Sequence, residues 1–217
     1  MLFRSYTNSG DNSIYTNTGI NNNLGNYYNP MAFVTQTNNS AFVATGKNIN
    51  CATNGGFTFM IMMFPYGTNY GEQYLNATQT ELSNLIIIHR FGNGIKLLVD
   101  NSINVLAETI IDTTKFAIYT FRVINTNSVK KWMITRNDQI QNPWASGTFT
   151  KAILNKTNVN INIGNLGAAF PTYVNRIGSA YFFDYALSDA ELATMVNWMY
   201  IGNTLPQQYG PIDYDKI

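Results

Sequence analysis

The sequence predicts an all-β fold, an antiparallel β-sandwich with one short C-terminal helix. Three observations predict it. Short apolar or alternating segments recur along the chain, each bounded by Asn, Gly, Ser, Thr or Pro. Residues 158–163 read Asn-Val-Asn-Ile-Asn-Ile, a period of two that belongs to a half-buried strand. Apolar residues at helical spacing occur at one place, Leu192, Met195, Val196 and Met199. A chain of 217 residues suits one large β domain, and no internal repeat or linker divides it. Residues 1–217 therefore read as a single domain, with a loop-rich arm over 1–30 and an extended tail over 203–217.

In chain order, residues 1–30 hold short apolar touches at Leu2-Phe3 and Ile14-Tyr15 among Asn, Tyr, Ser, Thr and Gly. Met31 to Gln36 and Ala41 to Thr45 suggest a hairpin around Thr37-Asn-Asn-Ser40. Phe57 to Phe64 is apolar on both alternating faces, as a central strand requires. Tyr66 to Gln79 reads as a polar loop. Ser83 to Arg90 and Gly94 to Asp100 form a hairpin, and Phe116 to Ile124 with Val129 to Arg136 form another around Asn125-Thr-Asn-Ser128. After the strand Arg176 to Tyr185, Ser188 is placed to cap the helix and Glu191 to complete a capping box. Leu187 and Leu192 are spaced for a hydrophobic staple, and Gly202 is the expected stop.

Composition narrows the function classes. Charged residues are 12% of the chain, about half the usual share of roughly 25%. Asn, Thr, Ser and Tyr supply polarity instead. Asn tolerates left-handed backbone and suits a turn-rich protein, although an AT-rich genome would produce the same bias. Net charge is +1, from 13 basic and 12 acidic residues without a basic run, which argues against nucleic-acid binding. A charge-poor surface of near-zero net charge resists association weakly and suits a protein within an assembly. Cys51 is the single cysteine, so no internal disulfide can form. Met1-Leu-Phe-Arg-Ser lacks the pattern of a signal peptide, and the longest apolar run, Phe57 to Pro65, is too short for a bilayer. Synthesis and residence in a reducing compartment, without membrane insertion, are expected unless the chain is a fragment.

Several segments, in order, resemble the concanavalin A-like lectin/glucanase superfamily and within it the laminin-G-like jelly rolls. Phe57-Thr-Phe-Met-Ile-Met-Met-Phe-Pro65 is similar to the family's "FTISFWVKP" strand, and Phe116-Ala-Ile-Tyr-Thr-Phe121 to its "W-H-x-V-A-V-T" strand. Lys131-Trp-Met-Ile-Thr-Arg-Asn-Asp138 resembles "W-x-L-Y-V-N-G", and Ile161-Asn-Ile-Gly164 resembles "L-x-I-G". Arg176 to Glu191 is similar to "G-x-I-D-E-V-R-I-Y-N-R-A-L-S-D-A-E-I", a strand that runs straight into a capped helix. Coverage extends from about residue 41 to 200. The chain departs from the pattern in lacking the His of "W-H" and in carrying Asn137-Asp138 for Asn-Gly, which weakens transfer of any ligand site. The resemblance implies a jelly roll.

Glucanases of this fold need two close carboxylates on one strand face. The four Glu (72, 81, 108 and 191) share no such pattern, and Asp189 and Glu191 open a helix, where acids serve the dipole and cap. No catalytic residue is assigned, and the expectation is that the chain is not an enzyme. His89 is the single histidine, with no Gly-x-Ser-x-Gly elbow beside it in sequence, and reads as a strand residue. One His and one Cys cannot build a zinc site. No cofactor is expected. Laminin-G-like domains often hold calcium, and the resemblance leaves Asp11, Asp100, Asp112 and Asp138 open as ligands. Aromatics on expected loops, Tyr66, Tyr70, Tyr74, Trp144, Phe170 and Tyr173, are candidate contacts for a glycan or protein partner, with local packing as the alternative. Asn-x-Ser/Thr sequons at Asn38, Asn76 and Asn155 are close to the number that chance produces in so Asn-rich a chain.

The expected function is a non-catalytic interaction module. A fold that usually works outside cells, without leader or disulfide, suits a virus or phage particle assembled inside a cell and exposed later. The expected role is a virion structural or surface protein that contacts other virion proteins, itself or host glycans. The alternatives are a free-standing, extracellular lectin-like module and a glycoside hydrolase of the glucanase type.

Overall fold

The computed structural model describes residues 33–34, 40–64, 73–78, 86–91, 94–100, 102–107, 117–137, 139–164 and 176–208. They form two six-stranded antiparallel sheets packed face to face and a helix. The expected all-β sandwich is therefore observed. The strands are β1 (Phe33–Val34), β2 (Ser40–Ile49), β3 (Gly56–Phe64), β4 (Gln73–Thr78), β5 (Ile86–Phe91) and β6 (Gly94–Val99). They continue as β7 (Ile103–Ala107), β8 (Ala117–Asn125), β9 (Lys130–Arg136), β10 (Ala145–Thr148), β11 (Lys156–Gly164) and β12 (Arg176–Phe183). Helix α1 spans Asp189–Gln208. The first sheet has the order β1-β12-β3-β8-β9-β10, and the second β2-β11-β4-β5-β6-β7.

Side-chain alternation explains why these segments stack. On β3, Phe57, Phe59, Ile61 and Met63 point inward. On β8, Ala117, Tyr119, Phe121 and Val123 do the same. The second sheet answers with Leu75, Ala77, Ile86, Ile88, Ile95, Leu97 and Val99. Successive residues of a strand face opposite ways, so the intervening positions of β3 and β8, Met60, Met62 and Ile118, lie on the outer face. Helix α1 covers them with Leu192, Val196 and Met199, with Met195 packed at the margin. Both faces of the central strands are thus buried, which accounts for the uninterrupted apolar run seen in the sequence. Gly56 at the start of β3 has φ +135°, and a Cβ there would lie 1.9 Å from the Val123 carbonyl oxygen, so only glycine fits.

The helix starts as its sequence requires. The Ser188 backbone N–H and hydroxyl each donate to Glu191 Oε2, at 2.7 and 2.8 Å, and the Glu191 N–H donates back to the Ser188 hydroxyl at 3.3 Å. These bonds hold the Glu191 carboxyl below its usual range. Leu187 and Leu192, the staple pair, are both buried. Ser188→Ala should destabilise the fold by about 1 kcal/mol, as loss of such a cap does, read as a shift in urea midpoint at constant slope.

Four expectations need correction. The segments around Phe33–Val34 and Ser40–Ile49 do not pair with each other: β1 pairs with β12 in one sheet and β2 with β11 in the other. The region read as a loop over 66–79 contains β4, whose Leu75 and Ala77 supply core contacts at a period of two. Helix α1 does not stop at Gly202 but continues to Gln208, so residues 203–208 are helical rather than extended tail. A glycine inside a helix costs only about 1 kcal/mol relative to alanine, too little to end one by itself. Asn125 is the last residue of β8 rather than part of its turn, for a reason given in the Discussion. The arm over 1–30 and residues 209–217 lie outside the described residues.

Candidate functional site

Trp144, which the sequence places on a loop, is half-buried, and its ring centre lies 5.8 Å from that of core residue Tyr119. It closes one margin of the sandwich. Tyr74 belongs to β4 rather than a loop. Tyr66, Tyr70, Phe170 and Tyr173 lie outside the described residues.

The described residues gather a different set of aromatic side chains. Tyr181 and Phe183 of β12 stand opposite Met60 and Thr58 of β3, on the outer face that α1 covers. Trp198 projects from α1 toward this strand, its ring centre 5.5 Å from that of Tyr181 with planes at 58°. Tyr185 continues the row, 5.9 Å from Phe183 with planes at 76°. Trp198 is 54% exposed and Tyr185 is also exposed, whereas Tyr181 and Phe183 are half-buried. The result is an aromatic ridge along the seam between β12 and α1.

Two polar anchors fix this seam. The fully buried Thr58 hydroxyl accepts the Leu187 N–H at 2.9 Å and donates to the Tyr185 carbonyl at 3.2 Å. Arg122 of β8, also buried, donates to the Leu187 carbonyl at 3.0 Å and to Asp189 Oδ1 at 2.6 Å. Gln141 donates to Asp189 Oδ2 at 3.0 Å. The Arg122 and Gln141 hydrogen bonds hold the Asp189 carboxyl below its ordinary range. The interaction is present above that range and is lost as pH falls through the depressed value. Asp184, beyond the end of β12, accepts from Asn54 Nδ2 at 3.0 Å and Asn50 Nδ2 at 3.4 Å. The ridge therefore sits on a rigid base. Sequence reasoning missed it because each ring looked like ordinary strand or helix material. Two signals were present: the period of two in Tyr181, Phe183 and Tyr185, and a tryptophan off the apolar stripe of the helix.

Other chemistry is accounted for locally. Asp184, Asp189 and Glu191 all accept the structural hydrogen bonds just described. Among the described residues, no three His, Cys, Asp or Glu side chains gather at one place. Asp100 does not fit a calcium ligand, because both of its oxygens meet Lys156 Nζ, at 2.6 and 2.7 Å. Asp11, Asp112 and Asp138 lie outside the described residues. Cys51 is buried, and burial pushes its thiol up to about 12, so it stays protonated and unreactive. Asn155, one of the sequon residues, accepts the Ala52 and Thr53 N–H groups at 2.8 and 3.2 Å. Among the described residues no helix is long and apolar enough to cross a membrane.

Comparison with solved structures finds similar folds. The binding domain of Paraclostridial Mosquitocidal Protein 1 is similar, with TM-score 0.62 and 14% identity over 88% of this chain and 48% of that one. The binding domain of botulinum neurotoxin serotype D/C is similar with TM-score 0.60 and 13% identity, over 89% of this chain and 51% of that one. A SAP-like pentraxin from Limulus polyphemus gives TM-score 0.52 and 12% identity, over 84% of this chain and 80% of that one. What is shared is the fold. The chain spans about half the length of the two toxin domains. No protein-family model matches the sequence, and no curated protein does.

Proposed function

We propose that this chain is a non-catalytic interaction module of the concanavalin A-like, laminin-G-like kind, and that it holds a protein partner through the ridge of Trp198, Tyr181, Phe183 and Tyr185. The observation that carries the reading is the ridge itself. Tryptophan and tyrosine supply much of the energy of protein interfaces, and rigid anchors serve best. Ring planes at 58° and 76° make a corrugated surface rather than a flat platform for successive sugar rings. Corrugation favours the side chains of another protein. The biological setting proposed is a virus or phage particle, supported by the charge-poor composition and the absence of a disulfide pair in the sequence.

A second reading, a carbohydrate-binding module, draws support from the botulinum neurotoxin DC binding domain in complex with SialylT, whereas that domain's complex with rat synaptotagmin II supports the protein-partner reading. Glucanase-type hydrolysis gains no support from Asp184, Asp189 or Glu191, since each is engaged structurally.

The test is co-purification of the chain with itself and with proteins encoded beside it in its genome, comparing wild type with Trp198→Ala. Loss of a central aromatic anchor should weaken association roughly thirtyfold. Unchanged association in Trp198→Ala would remove the ridge from the interface. Saturable glycan binding that depends on Trp198, without protein association, would favour the second reading.

A further inference from the structure

The turn between β2 and β3 carries Asn54-Gly55. In this dipeptide the asparagine side chain is least shielded from the next backbone nitrogen, because glycine has no Cβ. Asn54 is exposed. Gly55 has φ +74°, and the nearest atom to a Cβ built on it is the Thr126 Cγ2 methyl, at 3.4 Å. The Asn54 N–H donates to the Asn50 carbonyl at 2.8 Å, which closes a single helical turn, and the Gly55 carbonyl accepts the Asn125 N–H at 2.8 Å. Exposed Asn155 clamps the middle of the turn. Its Oδ1 accepts the Ala52 and Thr53 N–H groups, and its Nδ2 donates to the Thr53 hydroxyl at 2.8 Å. The Asn54 side chain reaches across to the end of β12, where its Nδ2 donates to Asp184 Oδ2 at 3.0 Å. The sequence contains a second Asn-Gly dipeptide, Asn93-Gly94, whose asparagine lies outside the described residues.

We propose that Asn54 is a site of spontaneous deamidation, gated by opening of the turn that Asn155 clamps, and that its conversion unties β12 from that turn. The Gly55 nitrogen attacks Asn54 Cγ and gives its proton to solvent. The N–Cγ bond forms, the Cγ–Nδ2 bond breaks, and ammonia leaves behind a five-membered succinimide. Water then opens the ring at either carbonyl, giving aspartate or, with the chain rerouted through the side chain, isoaspartate. No oxidant or reductant enters. The ring needs a more extended backbone at Asn54 than a helical turn provides, so the turn must open first, and the Asn155 clamp opposes that opening. Conversion removes the Nδ2 donor and sets a carboxylate against Asp184, so an attraction becomes a repulsion between like charges. Isoaspartate also lengthens the backbone just before Gly55 and Gly56, whose φ values of +74° and +135° fit the turn to β3. Tyr185 follows Asp184, so the loosened segment includes the exposed end of the ridge. Deamidation at Asn54 stands whether or not the ridge binds a partner.

The experiment is incubation of the full chain in mildly alkaline buffer, with peptide mapping by mass spectrometry at intervals. The same chain unfolded in urea gives the unconstrained rate. The folded chain should convert Asn54 to aspartate and isoaspartate, more slowly than the unfolded one. Asn155→Ala should speed conversion in the folded chain roughly tenfold, because the clamp's hydrogen bonds no longer oppose opening. Thr53→Ala, which removes one of those bonds, should speed it less, and circular dichroism shows that both variants are folded. Asn54→Gln, which would have to close a six-membered ring, should stay intact. Asn54→Asp reproduces the new charge without rerouting the chain. It should raise hydrogen exchange at Tyr185 and Ala186 roughly twofold to fivefold, an effect that added salt reduces. An intact Asn54 in the folded chain after the unfolded chain has converted would overturn the site. Conversion of folded Asn155→Ala at the wild-type rate would overturn the gate, and unchanged exchange in Asn54→Asp would overturn the untying of β12.

Discussion

Replacing Lys156 with Met should destabilise the fold by about 3–5 kcal/mol, because breaking a buried ion pair leaves the other charge without a counterion. Lys156 is 1% exposed and the side chain of Asp100 15%, with Nζ held between both carboxylate oxygens. The pair ties the start of β11 to the residue that follows β6, and so links two strands of one sheet that are not hydrogen-bonded neighbours. The partial exposure of Asp100 lets water relieve part of the penalty, which places the expectation toward the lower end of that range. Urea denaturation of Lys156→Met, read at constant slope, measures it. Adding Asp100→Asn to Lys156→Met should recover part of the loss, since the stranded charge is then gone. A Lys156→Met protein within 0.5 kcal/mol of wild type would mean that the pair contributes nothing, as exposed pairs often do.

Asn125→Leu should be about as damaging. Asn125 is 5% exposed, yet its amide donates to the Cys51 carbonyl at 3.1 Å and the Ile153 carbonyl at 2.7 Å, and accepts the Ile153 N–H at 3.1 Å. Leucine matches the volume and satisfies none of them. Each buried group left unpaired costs about 1–3 kcal/mol, so a total of roughly 3–5 kcal/mol is expected after relaxation. Hydrogen exchange should then show faster opening at Ile153 and in the 51–55 turn before the strand cores are affected. Protection at Ile153 equal to wild type would contradict the assigned role.

These two residues show where sequence reading stops. Phe57 to Phe64, the two hairpins around Gly94 and Ser128, and the Ser188–Glu191 cap were legible, because each is a local pattern whose physics lies within a dozen residues. The sheet order was not, because pairings such as β3 with β12 or β2 with β11 join residues more than a hundred positions apart. Asn125 looked like turn composition, since Asn is the commonest turn residue here and its partners, Cys51 and Ile153, are distant in sequence. Lys156 was unremarked for the same reason: nothing near it in sequence announces Asp100. Aromatics on expected loops are a local signal: Trp144 does lie outside the strands but packs half-buried beside Tyr119, and Tyr74 lies on β4. Trp198 was hidden by a helix that reads well without it. The period-two set Tyr181, Phe183 and Tyr185 was visible in outline, but only the docking of α1 turns three strand residues and one helix residue into a single ridge.

That docking also bears on how the nascent protein must behave. Met60, Met62 and Ile118 are made early, and their cover, Leu192 to Met199, is made more than seventy residues after Ile118. Until those residues leave the ribosome, an oily sheet surface with no lid faces solvent, an invitation to chaperones and to wrong neighbours. Arg122 then acts as a catch: once Leu187 and Asp189 reach it, the lid seats in one register and the surface is closed.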